Sequence, residues 1–388
     1  TAVKIAPNYD APVIHVLDAS RSIGVVSNLL SDTLKADFVA EVADDYEQVR
    51  QRHEAREKTG APATIAAARE AKAKIDWRGY EPPRPRFLGV KVFDDYDLAE
   101  LAARIDWTPF FRTWELKGTY PAILKDEKFA AAARNLFADA EAMLQRLIGE
   151  KWLTARGVIG FFPANAVGHD DVEIHADDDR KEIAATLRFL RQQMRKDEGR
   201  PNRCLADFIA PKDTGLADYI GGFAVTAGIG IEKKVAEFEA ANDDYSAILL
   251  KALADRLAEA FAERMHERVR REFWAYAEGE NLDNEDLIKE RYQGIRPAPG
   301  YPACPDHTAK LDLFRLLAAE KNAGIALTES FAMTPAASVS GYYFSHPEAR
   351  YFGVGRIGKD QVEDYAKRRG IALEEAEKWL APNLAYTP

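Results

Sequence analysis

The chain has 388 residues, of which 47% are hydrophobic and 30% charged, and its formal net charge is −10. This composition is typical of a globular protein with two or three folded units, and the acidic balance disfavours nucleic acid, whose phosphates need a basic surface. No apolar run approaches about 18 residues, which excludes a membrane-spanning helix, and two distant cysteines without a signal sequence predict a cytoplasmic protein with free thiols.

Residues 1–52 are predicted to be the end of an α/β domain. An apolar run at 12–17 predicts a strand, 18–21 a polar turn, and helices are predicted at 24–30 and 33–56. Strand, turn and helix together are typical of the closing unit of an α/β sheet. Since one strand cannot form a sheet and the chain starts with threonine rather than methionine, we expect it to be part of a longer protein.

Residues 53–86 are predicted to be a linker. They contain four prolines, two glycines and an alanine- and lysine-rich helix around 64–74, with no apolar face suited to burial. The predicted boundary between the two domains therefore falls in this segment.

Residues 87–388 predict an α+β domain with a largely antiparallel twisted sheet flanked by long helices, because strands and helices neither alternate nor repeat. Strands are predicted at 88–93, 157–162, 172–175, 205–209, 219–226, 325–329, 339–343 and 351–357. Helices are predicted at 98–105, 129–150, 183–194, 244–276, 311–320, 359–369 and 373–380.

The segment 296–307 is the strongest candidate for a ligand-binding loop. Its twelve residues include four prolines, so it is a stiff, irregular segment. Arg296 has a planar guanidinium suited to a carboxylate, Gly300 permits a close approach of the backbone, and Tyr301 provides a flat face with a polar tip. The alternative is that the segment only connects two helices.

The long helix at 244–276 carries a second candidate surface. Asp255 and Glu259 lie one turn apart, beside the small residues Ala252 and Ala262. Small neighbours permit another domain to approach the two carboxylates. The alternative is an ordinary exposed acidic pair.

Other chemistries find little support in the residues. Cys304 and His307 have the spacing of half a metal site, but no second pair accompanies them, and no catalytic or metal-binding residue is predicted. No phosphate-binding glycine motif follows a strand. Reasoning from the residues alone therefore ends at a cytoplasmic α+β protein with a small-ligand loop.

Several motifs resemble, in the same order, the activation domain of cobalamin-dependent methionine synthase. The motifs are IDWTPFFRTWELKGTYP at 105–121, GFFPAN at 160–165, ADYIGGFAVTAG at 217–228, RPAPGYPACPDHT at 296–308 and TESFAMTPAASVSGYYFSHPEARY at 328–351. The resemblance covers the chain from about residue 85 to its end. Residues 1–52 resemble the tail of the cobalamin-binding domain of the same enzyme, without the cobalt-ligating DxHxxG motif.

This resemblance implies a function in reactivation. The domain would bind S-adenosylmethionine and use it to remethylate oxidised cob(II)alamin, with an electron from a flavodoxin-type protein, as part of a methyltransferase in methionine biosynthesis. Cobalamin would be held mainly by parts of the enzyme absent from this chain. Two alternatives remain: a docking module that recruits a flavodoxin-type reductase, and an activator of another corrinoid methyltransferase.

The resemblance also implies a set of site residues. The residues expected to bind S-adenosylmethionine are Asp106, Glu259, Arg296, Ala298, Gly300, Tyr301, Tyr351 and Phe352. Arg296 would hold the methionyl carboxylate, and the two acids would meet the ammonium or ribose hydroxyls. Tyr351 would lie near the sulfonium, and Phe352 replaces an expected tyrosine. Asp255 and Ala19 are expected to contact the cobalamin-binding domain.

Overall fold

The computed structural model of the protein describes residues 1–3, 5–16, 19–59, 62–197 and 199–388. Contacts between Cα atoms divide the chain into two compact units, residues 1–63 and 64–388. Within the described ranges, no helix has the length and apolar character that crossing a membrane requires. The boundaries of the predicted domains at 1–52, 53–86 and 87–388 stay a prediction.

The smaller unit is built on two helices, α1 (Ala19–Leu30) and α2 (Lys35–Thr59), as predicted. Two details of the prediction were wrong: residues 12–16 form no strand, and residues 19–21 begin α1 rather than a turn. Residues 17 and 18, at the end of the predicted strand, lie outside the described residues. A strand needs a neighbour to pair its backbone groups, and the described part of this unit offers none. The His15 backbone N–H instead donates to the Tyr46 hydroxyl at 2.8 Å.

The larger unit contains the predicted antiparallel sheet. Its strands are β1 (Gly89–Tyr96), β2 (Thr154–Val167), β3 (Asp171–His175), β4 (Ile183–Arg188), β5 (Asp218–Ile229), β6 (Ala326–Leu327), β7 (Met333–Thr334) and β8 (Ser338–Tyr343). The main sheet has the order β4-β3-β2-β5-β8 with β1 also on β2, and β6 pairs with β7. All of these pairs are antiparallel, which confirms the predicted α+β class.

Helices cover both faces of the main sheet. They are α3 (Ile65–Glu70), α4 (Leu98–Ala102), α5 (Trp107–Thr113), α6 (Ala130–Gly149), α7 (Ile231–Ala240), α8 (Asp244–Arg268), α9 (Asn284–Ile288), α10 (Lys310–Leu317), α11 (Ala319–Ala323), α12 (Lys359–Arg369) and α13 (Leu373–Leu380). Helix α8 buries its predicted apolar face, including Leu253 and Phe261, in the core that contains Phe223 of β5. Helix α10 packs Leu313 and Leu317 into the core on the other face.

The segment 183–194 was predicted to be a helix, and this was wrong. It forms edge strand β4, paired with β3, and then an irregular stretch around Arg191. The Arg191 side chain is fully buried and forms ion pairs with Asp170 and Asp207, both at 2.7 Å. These contacts come from distant parts of the chain, so they override the helical pattern of the segment itself.

Two predicted strands are also absent. Residues 205–208 form a turn of 3-10 helix, because the Asp207 carboxylate accepts the Cys204 backbone N–H at 2.9 Å. Residues 351–357 form no strand beyond a single bridge between Ile357 and Leu384. The Val354 N–H in this segment donates to the carbonyl of Pro302 at 2.7 Å. Both segments satisfy their backbone groups locally or against a loop instead of in a sheet.

Part of the predicted linker packs against the larger unit. The Arg69 guanidinium lies 2.7 Å from Asp170 and 2.7 Å from Asp364. The Trp274 indole N–H donates to the carbonyl of Pro83 at 2.7 Å. Residues from Thr64 onward are therefore structurally part of this unit, although their composition predicts a linker.

Candidate functional site

The proline-rich loop is held against the end of β8. Ile295 and Phe344 exchange two backbone hydrogen bonds of 3.0 Å, and the Tyr342 N–H donates to the carbonyl of Pro297 at 2.9 Å. Its backbone then turns tightly, with the Gly300 N–H donating to the Cys304 carbonyl at 2.7 Å. The loop is thus anchored to the sheet at one side and exposes its other side to a cavity.

Gly300 occupies a position that only glycine suits. Its φ is +92°, in the left-handed region, and a Cβ atom built there would lie 2.3 Å from Cε1 of His307. A side chain would therefore be strained by the backbone and would collide with an imidazole ring. The backbone at Gly300 therefore comes close to His307, and the expected contact of Gly300 with a ligand stays a prediction.

Two adjoining cavities of about 300 Å³ and about 470 Å³ lie beside this loop. They share Glu259, Glu290 and Arg296, so we treat them as one site, the carboxylate cleft. The predicted ligand residues that line it are Asp106, Glu259, Arg296, Ala298, Tyr301, Tyr351 and Phe352. Gly300 shapes the loop without lining the cleft. Residues separated by almost 250 positions in the chain therefore meet at one surface.

Arg296 is fixed in the wall of the cleft. Its Nη2 lies 2.7 Å from Oε2 of Glu263, and its Nη1 donates to the Tyr292 hydroxyl at 2.8 Å. Burial lowers the pKa of Arg296, but the Glu263 carboxylate and the surrounding tyrosines together outweigh that effect and raise the pKa above its ordinary value. Among the described residues its Nε has no partner. A permanently charged guanidinium with a remaining donor is suited to hold a carboxylate.

His266 contacts the guanidinium of Arg296. Its Nδ1 lies 3.3 Å from Nη1 of Arg296, and its ring stacks on Tyr343 at 5.3 Å between centroids. Burial, together with the neighbouring Arg270 and Arg296, lowers the pKa of His266 well below its ordinary value. The ring is therefore neutral, and its Nδ1 can accept a hydrogen bond from the guanidinium.

The cleft carries more carboxylates than the sequence analysis identified. Asp106 caps α5, and its Oδ1 accepts the Thr108 N–H at 2.9 Å. Glu263 and Glu290 also line the cleft, and neither was predicted. The cleft is also lined by Arg104, Arg256 and Arg296, so it offers both carboxylates and guanidinium groups to a ligand that carries charges of both signs.

A protein-family model described as "Vitamin B12 dependent methionine synthase, activation domain" matches residues 97–370, more than half of the chain. The chain belongs to this family. A crystal structure described as the MetH reactivation domain bound to AdoHcy is 55% identical in sequence. The match covers 84% of this chain and 99% of that chain, with a TM-score of 0.82. The resemblance seen in the sequence is therefore confirmed, as is the fold that it implied.

Tyr351 is placed at the cleft by a contact with the loop of the activation domain. Its hydroxyl accepts the backbone N–H of Arg296 at 3.0 Å. Burial raises the pKa of Tyr351, which keeps the phenol protonated. Tyr301 is 60% exposed at the rim, while Phe352 is half-buried and packs near Phe208. One ring is thus fixed at the wall, and another is exposed at the rim.

Asp255 and Ala19 are the predicted contacts with the cobalamin-binding domain, and Asp255 does not line the carboxylate cleft. Asp255 is exposed one turn before Glu259. The expectation of small exposed neighbours was wrong, because Ala252 and Ala262 face the core, with 8% and 0% exposure. Ala19 begins α1 in the smaller unit. Their contact with another domain stays a prediction.

Some of the unpredicted residues left a signal in the sequence. Glu263 follows Glu259 by four residues, so a helix places it one turn further along the same face. Extending the acidic stripe from Asp255 through Glu259 would have identified it. Glu290 follows α9 in a loop, and nothing in its local sequence indicates that it reaches the cleft.

Proposed function

We propose that the carboxylate cleft binds S-adenosylmethionine, whose methyl group is used for reductive remethylation of cob(II)alamin in methionine synthase. The observation that carries this proposal is that seven of the eight predicted ligand residues line one cleft, while the eighth, Gly300, shapes its loop. The structure that is 55% identical to this chain is described as bound to AdoHcy, the demethylated form of that ligand.

The charges of the cleft fit the charges of this ligand. The methionyl carboxylate would pair with Arg296, whose guanidinium Glu263 holds in place. The ammonium, the sulfonium and the ribose hydroxyls would lie among Asp106, Glu259 and Glu290, whose oxygens accept hydrogen bonds or attract positive charge. The Tyr351 ring would present an aromatic face to the sulfonium.

The contribution of the protein to methyl transfer would be positioning. Bound S-adenosylmethionine supplies an electrophilic methyl group, and its transfer needs no general base. Arg296 and the carboxylates would fix the two ends of the ligand, so the methyl group would have one orientation toward the incoming corrin. The chain would therefore work as one module of a methyltransferase, with cobalamin held mainly by the cobalamin-binding domain and an electron supplied by a flavodoxin-type protein.

Calorimetric titration of the chain with S-adenosylmethionine tests the proposal. We expect one binding site, competition by S-adenosylhomocysteine, and weak or no uptake of hydroxocobalamin. Methylcobalamin formation should then follow when the cobalamin-binding domain and reduced flavodoxin are added. A chain that binds flavodoxin but not S-adenosylmethionine would support the docking alternative instead.

A further inference from the structure

A cavity of about 230 Å³, separate from the carboxylate cleft, is also lined by Tyr301 and by Pro299 of the proline-rich loop. We name it the Lys310 pocket. Its polar lining residues are Tyr301, His307, Lys310, Ser330, Ser338 and Ser340. Phe331, Met333 and Val339 give it an apolar wall, and no aspartate or glutamate lines it. Its lining therefore has the opposite charge from that of the carboxylate cleft.

Lys310 places a buried positive charge in this pocket. The residue is 5% exposed, and among the described residues its Nζ has one hydrogen-bond partner, Nδ1 of His307 at 2.9 Å. No carboxylate in the described ranges lies within ion-pair distance of it. An ammonium group removed from water without a negative partner is unfavourable unless a ligand supplies one.

Burial lowers the pKa of Lys310, and the Asp306 carboxylate, which opposes that shift, is already engaged in hydrogen bonds. Its Oδ1 accepts the Thr308 N–H at 2.7 Å, and its Oδ2 accepts the hydroxyls of Thr308 at 2.8 Å and Tyr365 at 2.6 Å. Arg369 lies on its other side, with Nη1 3.9 Å from Oδ2. Asp306 therefore caps the 3-10 turn at His307–Ala309, and within the described residues it forms no ion pair with Lys310.

Ser340 provides a second group that lacks a partner. It is 2% exposed, and within the described part of the chain its Oγ has no hydrogen-bond partner. The other serines differ, since Ser338 donates to the Pro335 carbonyl and Ser330 contacts Thr328. A buried hydroxyl without a partner costs free energy, so Ser340 is available as a donor to a group that enters the pocket.

His307 completes a set of donors. Burial and the nearby Lys310 lower the pKa of His307, which favours the neutral ring. When its Nδ1 accepts from Lys310, the proton of the neutral ring is on Nε2, which becomes a donor. Ammonium, imidazole N–H and hydroxyl groups around one small space recognise an oxyanion. The apolar wall at Met333 favours an anion that carries an alkyl group.

We propose that the Lys310 pocket binds a small aliphatic carboxylate, with Lys310 as its ion pair and Ser340 and His307 as hydrogen-bond donors. A volume of about 230 Å³ accommodates a molecule of a few carbon atoms. The proposal does not depend on what binds in the carboxylate cleft.

Titration of the chain with sodium butyrate, followed by saturation-transfer NMR, tests this proposal. Butyramide serves as the neutral ligand of the same shape, and phosphate as the anion without an alkyl group. We expect butyrate to bind about tenfold more tightly than either, because butyramide lacks the charge for an ion pair with Lys310 and phosphate lacks the alkyl group that would contact the apolar wall. Lys310→Met should weaken butyrate binding by about tenfold or more, and Ser340→Ala by about threefold to tenfold.

Lys321→Met is the matched control, because Lys321 is exposed on α11, outside the pocket. Equal affinities for butyrate and butyramide would overturn the proposal, as would unchanged binding in Lys310→Met. Phosphate binding as tight as butyrate would overturn the assignment to an aliphatic acid. If Lys310→Met fails to fold, as a thermal melt would show, the ligand comparison and Ser340→Ala decide the matter.

Discussion

The carboxylate cleft and the Lys310 pocket are neighbours with opposite chemistry. Both are lined by Tyr301 and Val339, and both are bordered by the same proline-rich loop. The cleft contains the carboxylates of Glu259 and Glu290, whereas acidic residues are absent from the lining of the pocket. A stiff loop can thus separate two cavities whose linings differ in charge, because the residues facing each side come from different elements.

The largest expected effect is that of Arg296→Ala, which should weaken binding at the carboxylate cleft and leave binding at the Lys310 pocket unchanged. Arg296→Ala should weaken S-adenosylmethionine binding by about 2 to 4 kcal/mol, because a partly buried guanidinium would no longer pair with the ligand carboxylate. Calorimetry measures this change, and butyrate affinity should stay constant. Arg315→Ala is the control, since that side chain is 74% exposed outside the cleft. Equal affinity of Arg296→Ala and the parent chain for S-adenosylmethionine would contradict the assignment.

A second variant should affect both sites at once. Gly300→Ala places a Cβ 2.3 Å from His307 at a φ of +92°, so the loop and the imidazole must both move. Strain of this kind costs about 1 to 3 kcal/mol, and we expect comparable losses in S-adenosylmethionine and butyrate affinity. Gly355→Ala, also at positive φ but with more open space, is the matched control. A loss confined to one ligand would show that the loop does not couple the two sites.

Asp255→Asn examines a surface outside both cavities. We expect S-adenosylmethionine affinity to stay constant, because Asp255 does not line the cleft, whereas Glu259→Gln should reduce it. Reductive remethylation, measured as methylcobalamin formation with a flavodoxin reductant, should slow by about fivefold or less if Asp255 pairs with a protonated histidine of the cobalamin-binding domain. A parent-like rate would show that α8 serves the small ligand alone.

The smallest effect concerns stability rather than either ligand. His175 is 1% exposed and neither ring nitrogen has a partner in the described residues; burial lowers its pKa. In the unfolded chain the pKa of His175 is about 6.5, so at mildly acidic pH the unfolded chain binds more protons than the folded one. The folded state therefore loses stability as the pH falls below that value.

His175→Leu should therefore make the unfolding free energy less sensitive to acid. Urea unfolding between neutral and mildly acidic pH measures this difference, and His169→Leu at an exposed position is the control. Parallel pH profiles for the parent and His175→Leu would contradict the role of this ring. The other histidines are present in both proteins, so their contributions cancel in the comparison.

Local physics made part of the structure predictable. The four prolines and Gly300 predicted a stiff loop with a close contact, because proline and glycine restrict or extend the backbone whatever surrounds them. The apolar face of α8, which includes Leu253 and Phe261, followed from helical spacing alone. These predictions held because the deciding property belongs to the residue or to its own helix.

The wrong predictions concern segments whose contacting residues come from distant positions in the chain. The segment 183–194 has a pattern that fits a helix, but pairing with β3 and the burial of Arg191 between two aspartates decided its conformation. Residues 351–357 have apolar and aromatic side chains typical of a strand, yet the described structure pairs them mainly with a loop. The intrinsic preference of a segment for helix or strand is weak compared with the tertiary contacts that compete with it.

By itself, the sequence determined the α+β class, the stiffness of the proline-rich loop and the family to which the chain belongs. Only the tertiary structure decided that Glu263 positions Arg296, that Glu290 joins the cleft, and that Lys310 remains buried without a carboxylate. The physical reason is the range of the interactions. Backbone preference and helical spacing act over a few residues, whereas burial and charge pairing depend on which distant side chains the fold brings within a few ångströms.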